Sequence, residues 1–222
     1  MMQSAIAVLP GGVRVPPLAP LVVLAFLGAG ALVFCCVVGA AIALAVRRPR
    51  LARLLGGFGL AAAAAYAIFL VGAAFVSRDR ILAVGEQKYF CEIDCHIAYT
   101  VEAGETSPNG NRSVRLRTWF DPSTIASFRG NGPLAPGPRT VYLVDASGRR
   151  YDASMRAAVS TPLTRELRPG ESYVTVFEFR TPPEAAGLRL FVGDPPGLET
   201  FLIGHENSPF HGKVYFAIEP RA

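Results

Sequence analysis

Long apolar stretches come first in this chain, and short alternating stretches follow them. Residues 20–46 and 54–76 contain no charged side chain, and each run is long enough to cross the ~30 Å hydrocarbon core of a bilayer as a helix. We therefore predict two transmembrane helices there, preceded by a short N-terminal tail at 1–19. The first run is too long for a cleaved signal peptide, so we interpret it as a retained anchor.

Beyond residue 85 the apolar and polar positions alternate with a period of two, in stretches separated by Pro and Gly, which is typical of strands with one buried face. The stretch YFCEIDCHIAYTV (89–101) alternates throughout and predicts one continuous strand. Further strands are predicted in RSVRLRTWF, RTVYLVDASGRRYDA (a hairpin turning at Ser147 and Gly148), ESYVTVFEFR, LRLFVG, ETFLIG and KVYFAIE.

Seven or eight short strands with no amphipathic helix predict a β-sandwich of immunoglobulin type over residues 85–222, after a linker at 77–84. The predicted fold class is a transmembrane α-helical hairpin followed by an all-β immunoglobulin-like sandwich. Trp119, the single tryptophan, is expected to pack in the core of that sandwich.

A basic loop at 47–53 separates the two apolar runs, and it contains Arg47, Arg48, Arg50 and Arg53. Because short basic loops remain in the cytoplasm, this loop predicts that both termini and the β-domain lie on the periplasmic or extracellular side of an inner membrane.

Small residues recur at every fourth position of the second run, at Gly57, Ala61 and Ala65. Such spacing lets two helices approach closely in a membrane, so we expect these residues to form the contact within the hairpin.

The charge of the chain is uneven. The whole sequence has 22 Lys and Arg against 17 Asp and Glu, a formal net charge of +5, yet from residue 85 onward we count 15 basic against 16 acidic residues. A nucleic-acid-binding domain would have a basic surface, so we expect no nucleic-acid partner. The basic surplus belongs to the membrane region.

A family resemblance lies in the second half of the β-domain. The stretch YLVDASGRRYDA…LRPGESYVTVFEFRTPPEAAGLRLFV resembles bacterial extracytoplasmic immunoglobulin-like domains of uncharacterised function. In that group a hairpin strand precedes an L-x-P-G-E turn, an aromatic-rich strand, a proline turn and a leucine-rich strand. The resemblance implies a binding or scaffolding module anchored to a bacterial membrane.

Two cysteines of the β-domain, Cys91 and Cys95, allow three interpretations. On one regular strand their Cα atoms would lie ~13 Å apart, too far for a disulfide, so a bond between them requires the chain to turn between them. They would otherwise be small buried hydrophobes, or would bind a metal. The remaining cysteines, Cys35 and Cys36, fall within the first predicted membrane helix.

A metal or redox site would use Cys91, Cys95 and His96, with His205 and His211 from just before the final strand. First and last strands of a sandwich are often neighbours, which would bring these residues together. Thiolate and imidazole ligands suit copper or zinc.

The C-x-x-x-C spacing after two membrane helices also resembles the binuclear-copper subunit of haem-copper oxidases. That family has three residues between the second cysteine and its histidine, and it has a methionine beyond, whereas His96 directly follows Cys95 and Met155 is distant. The copper site is therefore not carried over.

Motifs of catalysis are missing from the sequence: we find no serine nucleophile elbow, phosphate loop or dinucleotide fingerprint. We therefore expect no enzyme activity and no cofactor. The predicted function is a membrane-anchored, extracytoplasmic binding or scaffolding module, with the lipid bilayer and an envelope or membrane-complex protein as partners. The alternative function is a copper- or zinc-binding or thiol-redox module.

Overall fold

The computed structural model describes residues 19–90, 96–106, 111–125, 130–155 and 161–219. These residues form two compact units. The helical unit comprises Pro16–Arg78 and Pro196–Lys213, and the β unit comprises Asp79–Pro195 and Val214–Ala222.

Two long helices dominate the helical unit: α1 Ala19–Ala45 and α2 Pro49–Val76. Helix α2 begins earlier than the predicted residue 54 because Pro49 lies in its first turn, where the missing N–H of proline breaks no hydrogen bond. Arg50 and Arg53 are therefore helical, and only residues 46–48 connect the two helices.

The face that joins the two helices differs from the predicted one. Gly57, Ala61 and Ala65 are all exposed. The close approach is instead at Gly59, where a Cβ atom would lie 2.9 Å from the Cβ of Cys36. The buried residues of α2 are Ala52, Gly59, Leu70 and Ala74. The spacing of small residues predicted that the helices meet closely, but it identified the wrong stripe.

The remaining surface of both helices is apolar and exposed. The spans Leu21–Ala45 and Pro49–Val76 are long and apolar enough to cross a membrane, by length and composition, and only 6% and 17% of the residues in the apolar stretch of each span are buried. A core helix of a water-soluble domain would instead bury most of its apolar surface. The most exposed large side chains of α2 are Leu54, Leu60, Ile68, Phe69, Phe75 and Val76.

Ten strands form the described part of the β unit. They are β1 Arg80–Leu82, β2 Gln87–Phe90, β3 Ile97–Thr106, β4 Arg112–Phe120, β5 Thr140–Val144, β6 Arg150–Asp152, β7 Ser154–Met155, β8 Ser172–Phe179, β9 Arg189–Gly193 and β10 Val214–Ala217.

Two five-stranded sheets make the sandwich. Sheet 1 has the order β2-β3-β4-β8-β7, and sheet 2 has the order β1-β10-β9-β5-β6. The ladders between the described strands are antiparallel, except that of β1 with β10, which is parallel. The chain starts in sheet 2, forms β2, β3 and β4 in sheet 1, and then changes sheet after β4, after β6 and after β8.

Alternation along the strands places the core between the sheets. In β4, Val114, Leu116 and Phe120 are fully buried, as the pattern of RSVRLRTWF predicted. Trp119 alternates with these residues, so it lies on the outer face of sheet 1 and is partly exposed, contrary to the expectation of core packing. The inner faces of the other strands contribute Ile97, Tyr99, Val101, Phe177, Phe179, Leu143, Leu190, Val192 and Phe216.

The predicted continuous strand at 89–101 is wrong. Phe90 ends β2 and Ile97 begins β3, and these two residues are antiparallel partners. The chain therefore reverses direction between them. The prediction failed because a period of two in residue type marks neither the reversal nor the change of inward face, which passes from Lys88 and Phe90 in β2 to Ile97 and Tyr99 in β3.

Among the other predicted stretches, five are confirmed as strands or hairpins. RSVRLRTWF is β4, the predicted hairpin is β5 with β6, ESYVTVFEFR contains β8, and LRLFVG and KVYFAIE contain β9 and β10. The stretch ETFLIG is not a strand, since it overlaps a 3₁₀ turn at Leu198–Phe201.

Candidate functional site

The candidate site lies where β2 ends and β3 begins. Cys91 and Cys95 fall between these strands and lie outside the described residues. The expected separation of the two thiols assumed one continuous strand from 89 to 101. Because Phe90 and Ile97 are antiparallel partners, that assumption no longer applies. A disulfide, two buried thiols and a metal-binding pair all remain predictions.

His96 is buried at the start of β3, with 4% of its surface exposed. Its Nδ1 lies 2.6 Å from the hydroxyl of Thr124, and that hydroxyl donates its proton to the carbonyl of Asp121. Nδ1 must therefore carry a proton and donate it to Thr124. The ring also stacks on Phe120, with 5.7 Å between ring centres. Only Nε2 could coordinate an ion in this arrangement.

Asp121 is a buried carboxylate directly after β4. The hydroxyl of Tyr89 donates to its Oδ2 at 2.6 Å, and the backbone N–H and hydroxyl of Ser123 donate to its Oδ1 at 2.9 and 2.7 Å. The backbone N–H of Asp121 donates to the carbonyl of His96 at 2.9 Å. The side chain of Asp121 therefore connects the end of β4 to β2, and its backbone N–H connects the end of β4 to His96 at the start of β3.

Lys88 of β2 points into the sandwich and is 4% exposed. Its ammonium group donates to the carbonyls of Val192 at 2.6 Å and Val214 at 3.4 Å, in β9 and β10 of the opposite sheet. It also lies 4.9 Å from the ring centre of Phe90 and 5.1 Å from that of Phe191. Carbonyl oxygens and ring faces thus replace water around this cation.

Arg139 supplies a second buried cation, with 3% of its side chain exposed. Its guanidinium pairs with Asp194 at 2.6 Å and lies over the rings of Phe90 at 4.3 Å and Tyr99 at 5.6 Å. Phe90 is therefore in contact with two cations, those of Lys88 and Arg139. This cluster joins the edge of sheet 1 to sheet 2.

Sequence patterns missed both cations. In the alternation of 89–101 extended backwards, Lys88 falls on the polar face with His96, yet it faces the interior. The missed signal is the aromatic residue two positions later, Phe90, since a cation and a ring at i and i+2 of a strand share one face.

His205 and His211 lie in the segment Pro196–Lys213 of the helical unit. The Nδ1 of His205 accepts from the backbone N–H of Asn207 at 3.1 Å, and the Nδ1 of His211 donates to the carbonyl of Gly212 at 2.7 Å. The final strand β10 pairs with β1 and β9, not with β2 or β3. The metal-site prediction assumed that the final strand lies beside the strand of His96. The observed strand pairing does not place β10 beside β2 or β3.

Within the described ranges, no three His, Cys, Asp or Glu side chains are grouped so that they could hold a metal ion. Since Cys91 and Cys95 fall outside those ranges, the copper or zinc interpretation stays a prediction. The free cysteines that the structure describes are Cys35, which is exposed, and Cys36, which is buried against α2.

A second buried carboxylate, that of Asp145, lies at the turn between β5 and β6 that the sequence predicted. It accepts hydrogen bonds from the hydroxyl and N–H of Ser147, the N–H of Arg149 and the hydroxyl of Tyr151, at 2.6 to 2.9 Å. Gly148 has φ +86°, which glycine adopts without a Cβ clash. The hydrogen bond from Ser147, with those from Tyr151 and Arg149, lowers the pKa of Asp145 to about 2.

Comparison with known proteins assigns no family to the chain. No protein-family profile matches it, and no curated protein is significantly similar to it. The structure is similar to MPT63, a secreted protein of Mycobacterium tuberculosis, over 53% of this chain and 98% of that chain, at 11% sequence identity and a TM-score of 0.39. A likeness at this level supports no functional argument.

The contact between Tyr89 and Asp121 should be energetically coupled. We expect Tyr89→Phe and Asp121→Asn each to lower the free energy of unfolding by about 1–3 kcal/mol, because each disrupts a hydrogen bond between two buried polar groups. The double variant should lose less than the sum of the two, by roughly 0.5–3 kcal/mol, as expected for residues in contact. Denaturant unfolding of the full chain in detergent measures all three, and strictly additive losses would contradict the contact.

The lowered pKa of Asp145 predicts an acid-dependent contribution to stability. The folded pKa of about 2 lies below the ~3.9 of an unfolded aspartate, so ionisation favours folding above pH ~4 and this contribution is lost as the pH falls toward 2. Asp145→Asn should therefore lower the melting temperature by a few degrees at pH 7 and by progressively less below pH ~4. Asp152→Asn, at an exposed carboxylate of the same hairpin, is the control and should change the melting temperature less. A deficit in Asp145→Asn that persists unchanged at pH 2 would refute the interpretation.

Proposed function

We propose that this chain is a membrane-anchored, extracytoplasmic binding or scaffolding module without catalytic activity. The observation that carries the proposal is the contrast between the two units. The helices expose a large apolar surface of the kind that lipid covers, whereas the sandwich has its own buried core. The proposed function requires no cofactor, and the described polar groups of the candidate site are engaged in holding strands together.

The inner membrane is the proposed location, with the β unit on the periplasmic or extracellular side. The four arginines at the hairpin turn and the first turns of α2, Arg47, Arg48, Arg50 and Arg53, support this orientation through the positive-inside rule.

An immunoglobulin-like topology is the proposed classification of the sandwich. In that fold one sheet has the strand order A-B-E-D, and the other places G, F, C and C′ side by side. The orders β3-β4-β8-β7 and β10-β9-β5-β6 correspond to these if β3 is taken as strand A. Under this assignment β2 is an added edge strand, and β1 adds in parallel beside the last strand.

The outer face of sheet 1 is the proposed binding surface of the module. Trp119, Val174 and Val176 are partly exposed there, and Arg115 and Arg117 lie beside them, 3.6 and 3.7 Å from Glu102. Aromatic and arginine side chains are enriched in protein–protein interfaces, so we propose a protein of the cell envelope as the occupant.

A reporter fusion tests the orientation. Alkaline phosphatase, which folds actively only outside the cytoplasm, should be active when fused after Ala222 and inactive when fused after Arg48 at the hairpin turn. The reverse pattern would place the β unit in the cytoplasm and would refute the proposed location.

In-cell photocrosslinking tests the binding surface. A photoreactive amino acid at Val174 or Val176 should give a discrete adduct with another envelope protein, and the same label at Ser147 on the β5–β6 turn should not. Trp119→Asp should abolish the adduct because it places an unpaired charge in the interface. Equal labelling from Ser147, or labelling that survives Trp119→Asp, would count against this surface.

A further inference from the structure

The segment Pro196–Lys213, between β9 and β10, runs along helix α2. The hydroxyl of Tyr66 donates to the carbonyl of Phe201 at 2.7 Å, and the backbone N–H of Gly212 donates to the hydroxyl of Ser77 at 2.7 Å. Tyr66 and Ser77 are separated by ~16 Å along the helix axis, at 1.5 Å per residue. The segment therefore contacts the helix at two points separated by this distance, and not at the helix end alone.

The Gly212 end of this segment is packed tightly against the chain that leaves α2. A Cβ atom at Gly212 would lie 2.3 Å from the carbonyl carbon of Arg78, so only glycine fits at this contact. The contact holds the segment beside the helix end.

Hydrogen bonds within the segment satisfy much of its backbone. The N–H groups of His205, Ser208 and His211 donate to the carbonyls three residues earlier, and so do those of Thr200 and Leu202. The hydroxyl of Ser208 donates to the carbonyl of Leu202, and the ammonium of Lys213 donates to the carbonyl of Glu206. Backbone groups must be satisfied in this way wherever water is scarce.

The segment's own large side chains are nevertheless exposed. Leu198 is 72% exposed, Phe201 52% and Phe210 77%, which matches the 75% of Phe75 on α2. The rings of Phe75 and Phe210 stack with 6.1 Å between their centres. At Phe210 the exposed apolar surface of the helix thus continues onto the segment.

Phe210 has a strained backbone. Its φ is +63°, a conformation that a bulky residue other than glycine rarely adopts. Such strain costs free energy and is retained where the local structure has a role. At Phe210 the strained backbone accompanies an aromatic ring that lies outward beside Phe75.

The length of α2 places this segment at bilayer depth. The 28 residues of α2 span ~42 Å, close to the ~40–45 Å of a bilayer with its headgroups. Tyr66 lies ~26 Å from Pro49 and so beyond the midplane, and Ser77 lies near the far headgroup surface. Both points that hold the segment belong to the leaflet opposite the basic turn.

We propose that Pro196–Lys213 is a membrane-inserted segment that lies in the outer leaflet beside α2. Leu198 and Phe201 contact acyl chains, and Phe210 lies at the headgroup boundary with Phe75. The Tyr66 hydroxyl satisfies the Phe201 carbonyl at a depth where water cannot. The inference rests on the proposed membrane anchoring, and it adds lipid contact by a segment far from both helices in sequence.

Tryptophan quenching by brominated lipid tests the inserted segment. In the full chain with Trp119→Phe, a single tryptophan is introduced as Phe201→Trp or Phe210→Trp, and the protein is reconstituted in phosphatidylcholine vesicles with brominated acyl chains. Phe69→Trp, at a 68% exposed position of α2, is the lipid-facing control, and Asp152→Trp is the control on the sandwich. Both segment variants should lose emission to an extent comparable with Phe69→Trp.

Two results would overturn the inference, and they differ. Quenching of both segment variants no greater than that of Asp152→Trp, while Phe69→Trp is quenched, would show that the segment lies outside the bilayer and would leave the anchor intact. No quenching of Phe69→Trp would refute the membrane anchoring itself, and the inserted segment with it.

Discussion

The exposed apolar surface of α1 and α2 is the constraint on which the organisation of this chain depends. A helix whose apolar side chains are mostly exposed is unfavourable in water, and the small contact through Gly59 and Cys36 hides little of it. In lipid such a hairpin would be stable, because each helix satisfies its own backbone hydrogen bonds. The proposed orientation follows from the arginines at the turn.

The interior of the β unit contains polar and charged side chains, and each of them needs a hydrogen-bond or charge partner because it is removed from water. Lys88 is surrounded by carbonyl oxygens and rings, Arg139 by Asp194 and rings, and Asp121 by three donors. Each of these groups connects separate strands. These side chains hold the β2–β3 hairpin in the sandwich, because a buried charge is stabilised only when it is paired and hydrogen-bonded.

Sequence patterns predicted the β4 strand residue for residue because Val114, Leu116 and Phe120 face inward and alternate with the outward charges of Arg115 and Arg117. They misread 89–101 because the apolar residue types continue in one phase, whereas the inward face changes from Lys88 and Phe90 in β2 to Ile97 and Tyr99 in β3. They also misplaced Trp119, whose type favours burial but whose position on β4 faces outward. The residue type of Trp119 predicts a buried side chain, whereas its position in the alternation predicts an outward one, and the structure agrees with the position.

The sequence by itself determined the two apolar helices, the basic turn and most strands, because length, charge and periodicity are local properties of the chain. The tertiary structure alone decided which stripe of α2 meets α1, where Lys88 finds its carbonyl partners, and that Pro196–Lys213 lies along α2. Each of these depends on contacts between residues far apart in the chain. Local patterns do not encode such contacts, since many partners offer a carbonyl group or an apolar surface and only packing selects among them.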